Sequence, residues 1–366
     1  MPRPGVAEAS SETADLSTAG AVREEDAFDV AAVSAWLAQQ GVTGADPSVL
    51  PEVRQFPGGA SNLTFELTYP SRQLILRRPP QGSTGRSAHD MGREHAIQSG
   101  LATAFPYVPE MLARCDDMSV IGADFYVMAK IDGVILRADP PPSYDLAAAG
   151  TRRLCESFVD LLVALHAVDV EATGLAGFGR GDGYVERQVS GWTERFERAR
   201  TPNVPSFAET TAWLVERRPD DVGACLIHND FRFDNVVLAP GDLERIVGVL
   251  DWEMATVGDP LMDLGGALAY WAQADDDSTM LALRRQPTHL PGMLTRDEVW
   301  DRYAQRTGLD TSGRRFYEVF GLFRLAVIAQ QIYHRFHVGQ THNPAFERFH
   351  ELVIYLDRRC TLVRRS

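Results

Sequence analysis

A set of polar side chains between His228 and Asp251 has the types and spacing that phosphoryl transfer requires. The sequence reads His-Asn-Asp-Phe-Arg-Phe-Asp-Asn from His228 to Asn235, and Asp251 follows a second apolar run. Phosphoryl transfer needs a carboxylate that orients an acceptor hydroxyl and takes its proton, and Asp230 suits that role. A further carboxylate and an amide oxygen must hold Mg²⁺, and Asp251 and Asn235 suit that role.

Apolar runs beside these residues predict the strands that would position them. Residues 225–227 form a short strand that leads into the motif, and residues 236–238 and 246–250 form two strands. A Pro-Gly-Asp turn at 240–242 joins the two strands. We expect this hairpin to hold the three oxygen-bearing side chains on one rim, around a shared divalent cation. Carboxylates beside strand ends also serve as turn or cap residues, but the ordered set favours a catalytic site.

Three further strands are predicted ahead of this region, at residues 53–56, 63–69 and 73–78. The first two are separated by a Pro-Gly-Gly-Ala-Ser-Asn segment. Glycine between antiparallel strands lets backbone N–H groups approach a phosphate, although such a turn is also common in plain hairpins. Its position ahead of the other elements favours nucleotide binding. The candidate residues in this turn are Gly58, Gly59, Ser61 and Asn62.

The remaining pattern predicts an α+β protein. Strands at 108–114 and 125–131 would complete a five-stranded sheet. Apolar periodicity predicts helices that include 91–101, 151–168, 316–336 and 346–360. The Pro140-Pro141-Pro142 segment marks the start of the helical region. Residues 1–25 are rich in small and polar side chains and are predicted to be disordered.

Composition excludes several classes of function. The chain has 366 residues and a formal net charge of −14, which argues against nucleic-acid binding. Its four cysteines are scattered without metal-binding spacing, so we expect them to be reduced. The N-terminus lacks an apolar signal core, and no apolar run approaches the length of a membrane span. These features predict a cytoplasmic protein with no membrane partner.

The motifs resemble those of the aminoglycoside phosphotransferase and choline kinase family. The run from His228 to Asn235 matches the family's catalytic loop, and Asp251-Trp252-Glu253 resembles the counterpart of the protein-kinase Asp-Phe-Gly. Gly258-Asp259-Pro260 and Asp263-Leu264 are most similar to the kinase-like domain fused to some acyl-CoA dehydrogenases. The resemblance, from about Val53 to about Arg335, implies a protein-kinase-like two-lobed fold. It implies a small five-stranded antiparallel N-terminal lobe at 26–128 and a larger helical lobe at 129–366.

The resemblance also implies a nucleotide site. Arg77 stands where kinases have their phosphate-binding lysine, and Glu94 would hold it in place. Met128 would border the adenine, and the backbone from Ala129 to Ile131 would form the hinge. Asn229 stands where glycine is usual, and Asn tolerates a positive φ better than most residues.

The implied function is ATP- and Mg²⁺-dependent phosphate transfer to a hydroxyl of a small molecule. The resemblance suggests a hydroxyacyl-CoA or a related acyl compound, whose phosphates could meet arginines. The rival acceptor, an aminoglycoside or amino alcohol, would need an acidic pocket, for which residues 275–277 are candidates. A catalytically inactive nucleotide-binding regulator is a further alternative. Oligomeric state and the choice of ATP over GTP stay open. The candidate acceptor-binding arginines are Arg314, Arg315, Arg324 and Arg335.

Overall fold

The computed structural model describes residues 19–57, 62–80, 90–141, 144 and 146–366, which fold into two compact units. The first unit comprises the described residues up to His95 together with 110–130. The second comprises 96–109 and the chain from Ile131 onward. The chain therefore leaves the first unit after Lys130, close to the sequence-based boundary after Met128, and the segment 96–109 belongs to the second unit.

The first unit is built on a five-stranded antiparallel sheet, as predicted. The elements of this unit are β1 Glu52–Gln55, β2 Leu63–Thr68, β3 Gln73–Arg78, β4 Met111–Cys115, β5 Phe125–Ala129, α1 Val30–Gln39 and α2 Met91–Leu101, whose residues from 96 onward belong to the second unit. The strand order in the sheet is β1-β2-β3-β5-β4. Leu74 and Leu76 pack into one apolar cluster while Ile75 packs into another, so alternation along β3 separates the two faces.

The segment ahead of α1 joins this sheet. Gly20 exchanges backbone hydrogen bonds with Gln55, at 2.8 and 2.9 Å. The buried Asp26 carboxylate accepts from the Gln55 side chain, and the Asp26 carbonyl accepts from buried Arg78. Part of the region predicted to be disordered, from residue 19 onward, therefore pairs with β1. The first 18 residues lie outside the described range.

The second unit is mainly helical around one large apolar core. Its strands are β6 Val134–Ile135, β7 Cys225–Ile227, β8 Val236–Ala239, β9 Asp242–Val249 and β10 Thr256–Gly258. They form a two-stranded sheet, β10-β7, and a three-stranded sheet, β6-β8-β9. Its helices are α3 Ala148–His166, α4 Tyr184–Ala199, α5 Ala208–Glu216, α6 Pro260–Leu268, α7 Ser278–Ala282, α8 Arg296–Thr307, α9 Arg314–His337 and α10 Phe349–Arg365. None of the helices in the described part of the chain combines the length and apolarity needed to cross a bilayer.

Local signals explain where several of these elements begin and end. Thr295 and Glu298 form a capping box at the start of α8, and Gly308 ends that helix with a φ of +73°. The Asp259 side chain caps α6 by accepting hydrogen bonds from the backbone amides of Leu261 and Met262. Pro260 occupies the first turn of this helix. The hairpin between β8 and β9 turns at Gly241, whose φ is +76°.

Two glycines allow α6 and α9 to pack backbone against backbone. A Cβ atom on Gly321 of α9 would overlap the carbonyl oxygen of Gly265 of α6. A Cβ atom on Gly265 would lie 2.5 Å from the carbonyl oxygen of Tyr317. This crossing positions Asp263 of α6 and Arg324 of α9, which both contact the predicted catalytic loop.

Substitution of Gly321 by Ala should therefore destabilise the protein. The added methyl group would force the two helices apart, and we expect the free energy of unfolding to fall by about 1–3 kcal/mol. Gly191→Ala is the matched control, because Gly191 also lies inside a helix and a Cβ atom there would meet only the end of the flexible Arg195 side chain, at 3.3 Å. Urea denaturation of both variants would test this, and equal stabilities would contradict the close packing.

Candidate active site

The predicted catalytic loop begins where β7 ends. β7 pairs antiparallel with β10, with Ile227 opposite Thr256, so the loop after Ile227 lies beside the segment that leads into β10. β10 is followed directly by Asp259 and α6. The small sheet thereby connects the catalytic loop, the Asp251 segment and α6.

The Asp263 carboxylate anchors this loop. Its two oxygens accept hydrogen bonds from the backbone amides of His228 and Asn229, both at 2.8 Å. His166 Nε2 lies 3.1 Å from the same carboxylate, and His166 Nδ1 lies 2.7 Å from the Tyr303 hydroxyl. Burial alone would raise the pKa of Asp263, but these hydrogen bonds and the nearby histidines hold it below the usual value. A buried anion thus fixes two consecutive peptides.

His228 has a structural role in this arrangement. Its Nδ1 accepts from the Asp230 amide at 3.3 Å, and its Nε2 lies 3.0 Å from the Leu250 carbonyl. The side chain is fully buried, and its ring packs 4.8 Å from that of Trp252. Because both ring nitrogens are occupied, His228 braces the loop and is poorly placed to act as a base.

Asp230 and Asn235 lie in direct contact. Asn235 Nδ2 donates to the Asp230 carbonyl at 2.9 Å and to Asp230 Oδ2 at 3.0 Å. The same Oδ2 accepts from Arg232 Nη2 at 3.0 Å. The Asp230 side chain keeps 22% of its surface exposed, so solvent or a substrate can reach it.

Asp251 lies beside this pair. The Leu250 amide donates to the Asn235 carbonyl at 2.8 Å, which joins the two segments next to both predicted metal ligands. Asp251 adopts φ +67° and ψ +61°, a left-handed conformation that costs a non-glycine residue about 1–3 kcal/mol. The buried Trp252 stabilises it, because Nε1 of Trp252 donates to the Val249 carbonyl at 2.9 Å.

The donor set fits Mg²⁺. The Asn235 amide nitrogen faces Asp230, which turns the amide oxygen away from that carboxylate. An amide oxygen and the Asp251 carboxylate are hard ligands, and protein Mg²⁺ sites often use one or two carboxylates together with substrate phosphates. Within the described ranges, no group of three or more His, Cys, Asp or Glu side chains is arranged to hold a metal by itself.

The first unit contains the predicted Arg77 pair. Arg77 Nη1 and Glu94 Oε1 lie 2.6 Å apart, and both side chains are buried. Glu94 comes from the first turn of α2, which begins at the predicted residue. The ion pair that the resemblance implied is therefore formed.

The other residues predicted to bind the nucleotide lie in different surroundings. Gly58, Gly59 and Ser61 lie outside the described residues, whereas Asn62 is described and buried. Met128 is buried against Ile75, Met91 and Tyr126 and so contributes to a small core. Ala129 ends β5 and donates to the Glu110 carbonyl at 2.9 Å. Ile131 begins the longer segment of the second unit, where its side chain lies next to Gly248.

Sequence reasoning missed several residues that support the catalytic loop. Arg232 lies between Asp230 and Asp234, 3.3 Å from the latter, and its guanidinium lies 4.6 Å from the centre of the Tyr270 ring. Burial would lower the pKa of Arg232, but the two carboxylates raise it. Because Arg232 lies only two residues after Asp230, the sequence alone could have identified it as a partner of that carboxylate. Gln286 accepts from the Phe233 amide at 2.9 Å, and nothing in the local sequence predicts this contact.

The four predicted acceptor-binding arginines do not form one group. Arg324 is buried, donates to the Asn229 carbonyl at 2.7 Å and lies over the Trp192 ring. Arg314 pairs with Asp297 and lies near Asp301. Arg315 and Arg335 are exposed, and about 30 Å of helix separates them at 1.5 Å per residue.

The predicted acidic patch at 275–277 is used structurally. Asp276 is buried between Arg296 and Arg359, at 2.7 and 3.0 Å. Asp277 caps α7 and accepts from the Tyr355 hydroxyl at 2.8 Å. Asp276 is therefore neutralised by arginines of α8 and α10, whereas Asp275 and Asp277 stay exposed at the surface.

Comparison with known proteins identifies the family. The model of the phosphotransferase enzyme family matches residues 52–304. The chain belongs to this family. As a phosphotransferase, it contains the motif residues Asp230, Asn235 and Asp251 within the matched region.

Relatives and solved structures agree with this assignment. The phosphotransferase is 34% identical over 322 residues to acyl-CoA dehydrogenase family member 11 of Rattus norvegicus, covering 85% of the chain but 40% of that relative. A structure from Ralstonia eutropha, provisionally classed as an aminoglycoside phosphotransferase, has a TM-score of 0.76 and 27% identity over 92% of this chain and 98% of that one. The GDP complex of aminoglycoside 2′-phosphotransferase-IIIa shares the fold, with a TM-score of 0.55, 13% identity and coverage of 86% and 94%. The kinase-like fold and phosphotransferase class expected from the motifs are therefore confirmed.

The Asp263 network predicts a pH-dependent difference in stability. Because the folded pKa of Asp263 lies below its unfolded value of about 3.9, its ionisation stabilises the fold fully above that pH. This contribution is lost as the pH falls through the folded pKa. Asp263→Asn should cost about 3 kcal/mol at pH 7 and progressively less below about pH 4. Urea denaturation at several pH values would measure the gap.

Asp259→Asn is the control, because the pKa of Asp259 is shifted in the opposite direction to that of Asp263. Burial raises the pKa of Asp259 in spite of the amides that donate to it, so its ionisation opposes folding. The stability of the wild type relative to Asp259→Asn should therefore increase as the pH falls. If the stability gap of Asp263→Asn did not change between pH 7 and about pH 3.5, the assigned direction would be wrong.

Proposed function

We propose that this phosphotransferase transfers the γ-phosphate of ATP to a hydroxyl group of a small molecule. The observation that carries the proposal is the contact of Asp230 with Asn235 next to the Asp251 segment. The loop that carries these groups is fixed by Asp263 and His228, so little reorganisation is needed during transfer. The solved GDP complex of a relative in fold supports a purine nucleotide as the donor, and the choice of ATP follows from the motif resemblance.

Asp230 would align the acceptor hydroxyl and take its proton. Its Oδ2 is engaged by Arg232 and Asn235, which orients the carboxylate and leaves Oδ1 for the acceptor. Arg77, held by Glu94, would neutralise phosphate oxygens of the nucleotide. Asn235 and Asp251 would hold Mg²⁺, which when bound neutralises charge on the transferred phosphate.

An exposed arginine near the catalytic loop supports an anionic acceptor. Arg285 keeps 59% of its side-chain surface exposed and lies 4.0 Å from the buried Asp234, so it is only loosely paired. Arg232 and Arg284 are paired closely with Asp230 and Asp139, so their charges are already neutralised. An exposed guanidinium complements phosphate or carboxylate groups.

Arg285, together with the similarity to acyl-CoA dehydrogenase family members, supports a hydroxyacyl-CoA as the acceptor. The structural use of Asp276 and Asp277 weakens the case for an aminoglycoside or amino alcohol.

Asp230→Asn should abolish most turnover without loss of nucleotide binding. Removal of a general base typically costs about 10²- to 10⁴-fold, whereas the groups proposed to bind nucleotide are unchanged. Turnover would be followed by coupled detection of ADP and binding by calorimetry. Asp116→Asn, an exposed carboxylate in a turn, is the control and should match the wild type. Equal turnover of Asp230→Asn and wild type would remove Asp230 from this role. Nucleotide binding without turnover in the wild type would favour the inactive regulator.

Acceptor class can be tested with a panel of hydroxyacyl-CoA compounds, aminoglycosides and choline. We expect ADP release with a hydroxyacyl-CoA, and a KM that rises with salt because the contacts are ionic. Arg285→Ala should raise that KM about tenfold with little change in kcat, equivalent to about 1.4 kcal/mol of uniform binding. Arg217→Ala removes a similarly exposed and loosely paired arginine at the end of α5 and is the matched control. Turnover with amines alone would contradict the proposed acceptor.

A further inference from the structure

Asn229 and Asp251 share an uncommon backbone conformation. Within the part of the chain that the structure describes, the non-glycine residues with positive φ are Phe207, Asn229 and Asp251. Asn229 has a φ of +64° and directly precedes the proposed base, while Asp251 has a φ of +67° and is a proposed metal ligand. Two strained positions therefore flank the proposed reaction centre, and strain of this kind persists only where surrounding contacts enforce it.

All four polar groups of Asn229 are engaged. Its amide donates to Asp263 at 2.8 Å, and its carbonyl accepts from Arg324 at 2.7 Å. Its side-chain oxygen lies 3.4 Å from the Tyr184 hydroxyl, and its side-chain nitrogen donates to the Met254 carbonyl at 3.0 Å. The first two contacts use backbone atoms and would exist for any residue. The last two depend on the asparagine side chain.

The contact with Met254 joins the two halves of the site. Met254 ends the 3-10 turn that begins at Trp252, directly after Asp251. Trp252 fixes the start of this turn in the core, whereas Met254 itself is 43% exposed. The Asn229 side chain therefore holds the exposed end of the turn against the catalytic loop.

We infer that Asn229 is a positioning residue that sets the distance between Asp230 and Asp251. The inference rests on the proposed function, since it assigns Asp251 to the metal. Glycine would accept the backbone conformation but could not reach Met254, and most other residues would be strained at this φ. Asparagine tolerates a positive φ and offers both a donor and an acceptor.

The test compares Asn229→Gly with Tyr184→Phe. Asn229→Gly keeps the favourable backbone and removes the link to Met254, whereas Tyr184→Phe removes only the contact with the side-chain oxygen. Paramagnetic resonance would measure Mn²⁺ affinity in the presence of ADP, thermal unfolding would give Tm, and coupled assays would give kcat and KM. Loss of a supporting contact to a metal ligand typically weakens metal binding about 10- to 100-fold.

We expect Asn229→Gly to weaken Mn²⁺ binding about tenfold and to lower kcat, with a Tm and an acceptor KM close to those of the wild type. Asn229→Asp, which presents an acceptor to the Met254 carbonyl, should lose more Mn²⁺ affinity than Asn229→Gly. The Mn²⁺ affinity of Tyr184→Phe should stay within about twofold of the wild type. Equal Mn²⁺ affinity in Asn229→Gly and the wild type would overturn the inference while leaving the proposed function intact. A wild type that binds no Mn²⁺ with ADP would overturn both.

Discussion

A single buried carboxylate sets the geometry of the candidate site. The Asp263 carboxylate accepts hydrogen bonds from two consecutive backbone amides at the start of the catalytic loop, and His166 Nε2 is a third hydrogen-bond partner. A buried charge is stable only when it is paired and fully hydrogen-bonded, so α3, α6 and the loop must keep their relative positions. His228 then extends this order to Leu250, next to Asp251. The Asp230 amide and the residue before Asp251 are therefore held by this network, and Asn235 is hydrogen-bonded to Asp230.

The sequence predicted those features that local chemistry determines. The helix α2 and the strand β3, whose bounds match the sequence pattern, depend on residues close together in the chain. The proposed base Asp230 and the proposed metal ligands Asn235 and Asp251 could be named because their spacing within one loop and hairpin matches what phosphoryl transfer requires. The Arg77 pair was placed by resemblance, since its two members are far apart in sequence.

Contacts between distant segments could not be predicted in the same way. β10 has three residues, one of them glycine, and is a strand only because it pairs with β7. The Phe233 amide is satisfied by Gln286, 53 positions later. The acidic run at 275–277 had the composition of a solvated loop, but arginines of α8 and α10 neutralise Asp276. In each case the partner is supplied by tertiary packing, which local patterns do not encode.

The close crossing of α6 and α9 has a consequence for how such a protein can diversify. Neither Gly265 nor Gly321 can acquire a side chain without separating the helices that hold Asp263 and Arg324. The helix pair that supports the proposed reaction centre therefore tolerates few substitutions at these two positions. New acceptor preferences must arise in peripheral segments, such as the stretch around Arg285, where an exposed side chain can change without disturbing this crossing.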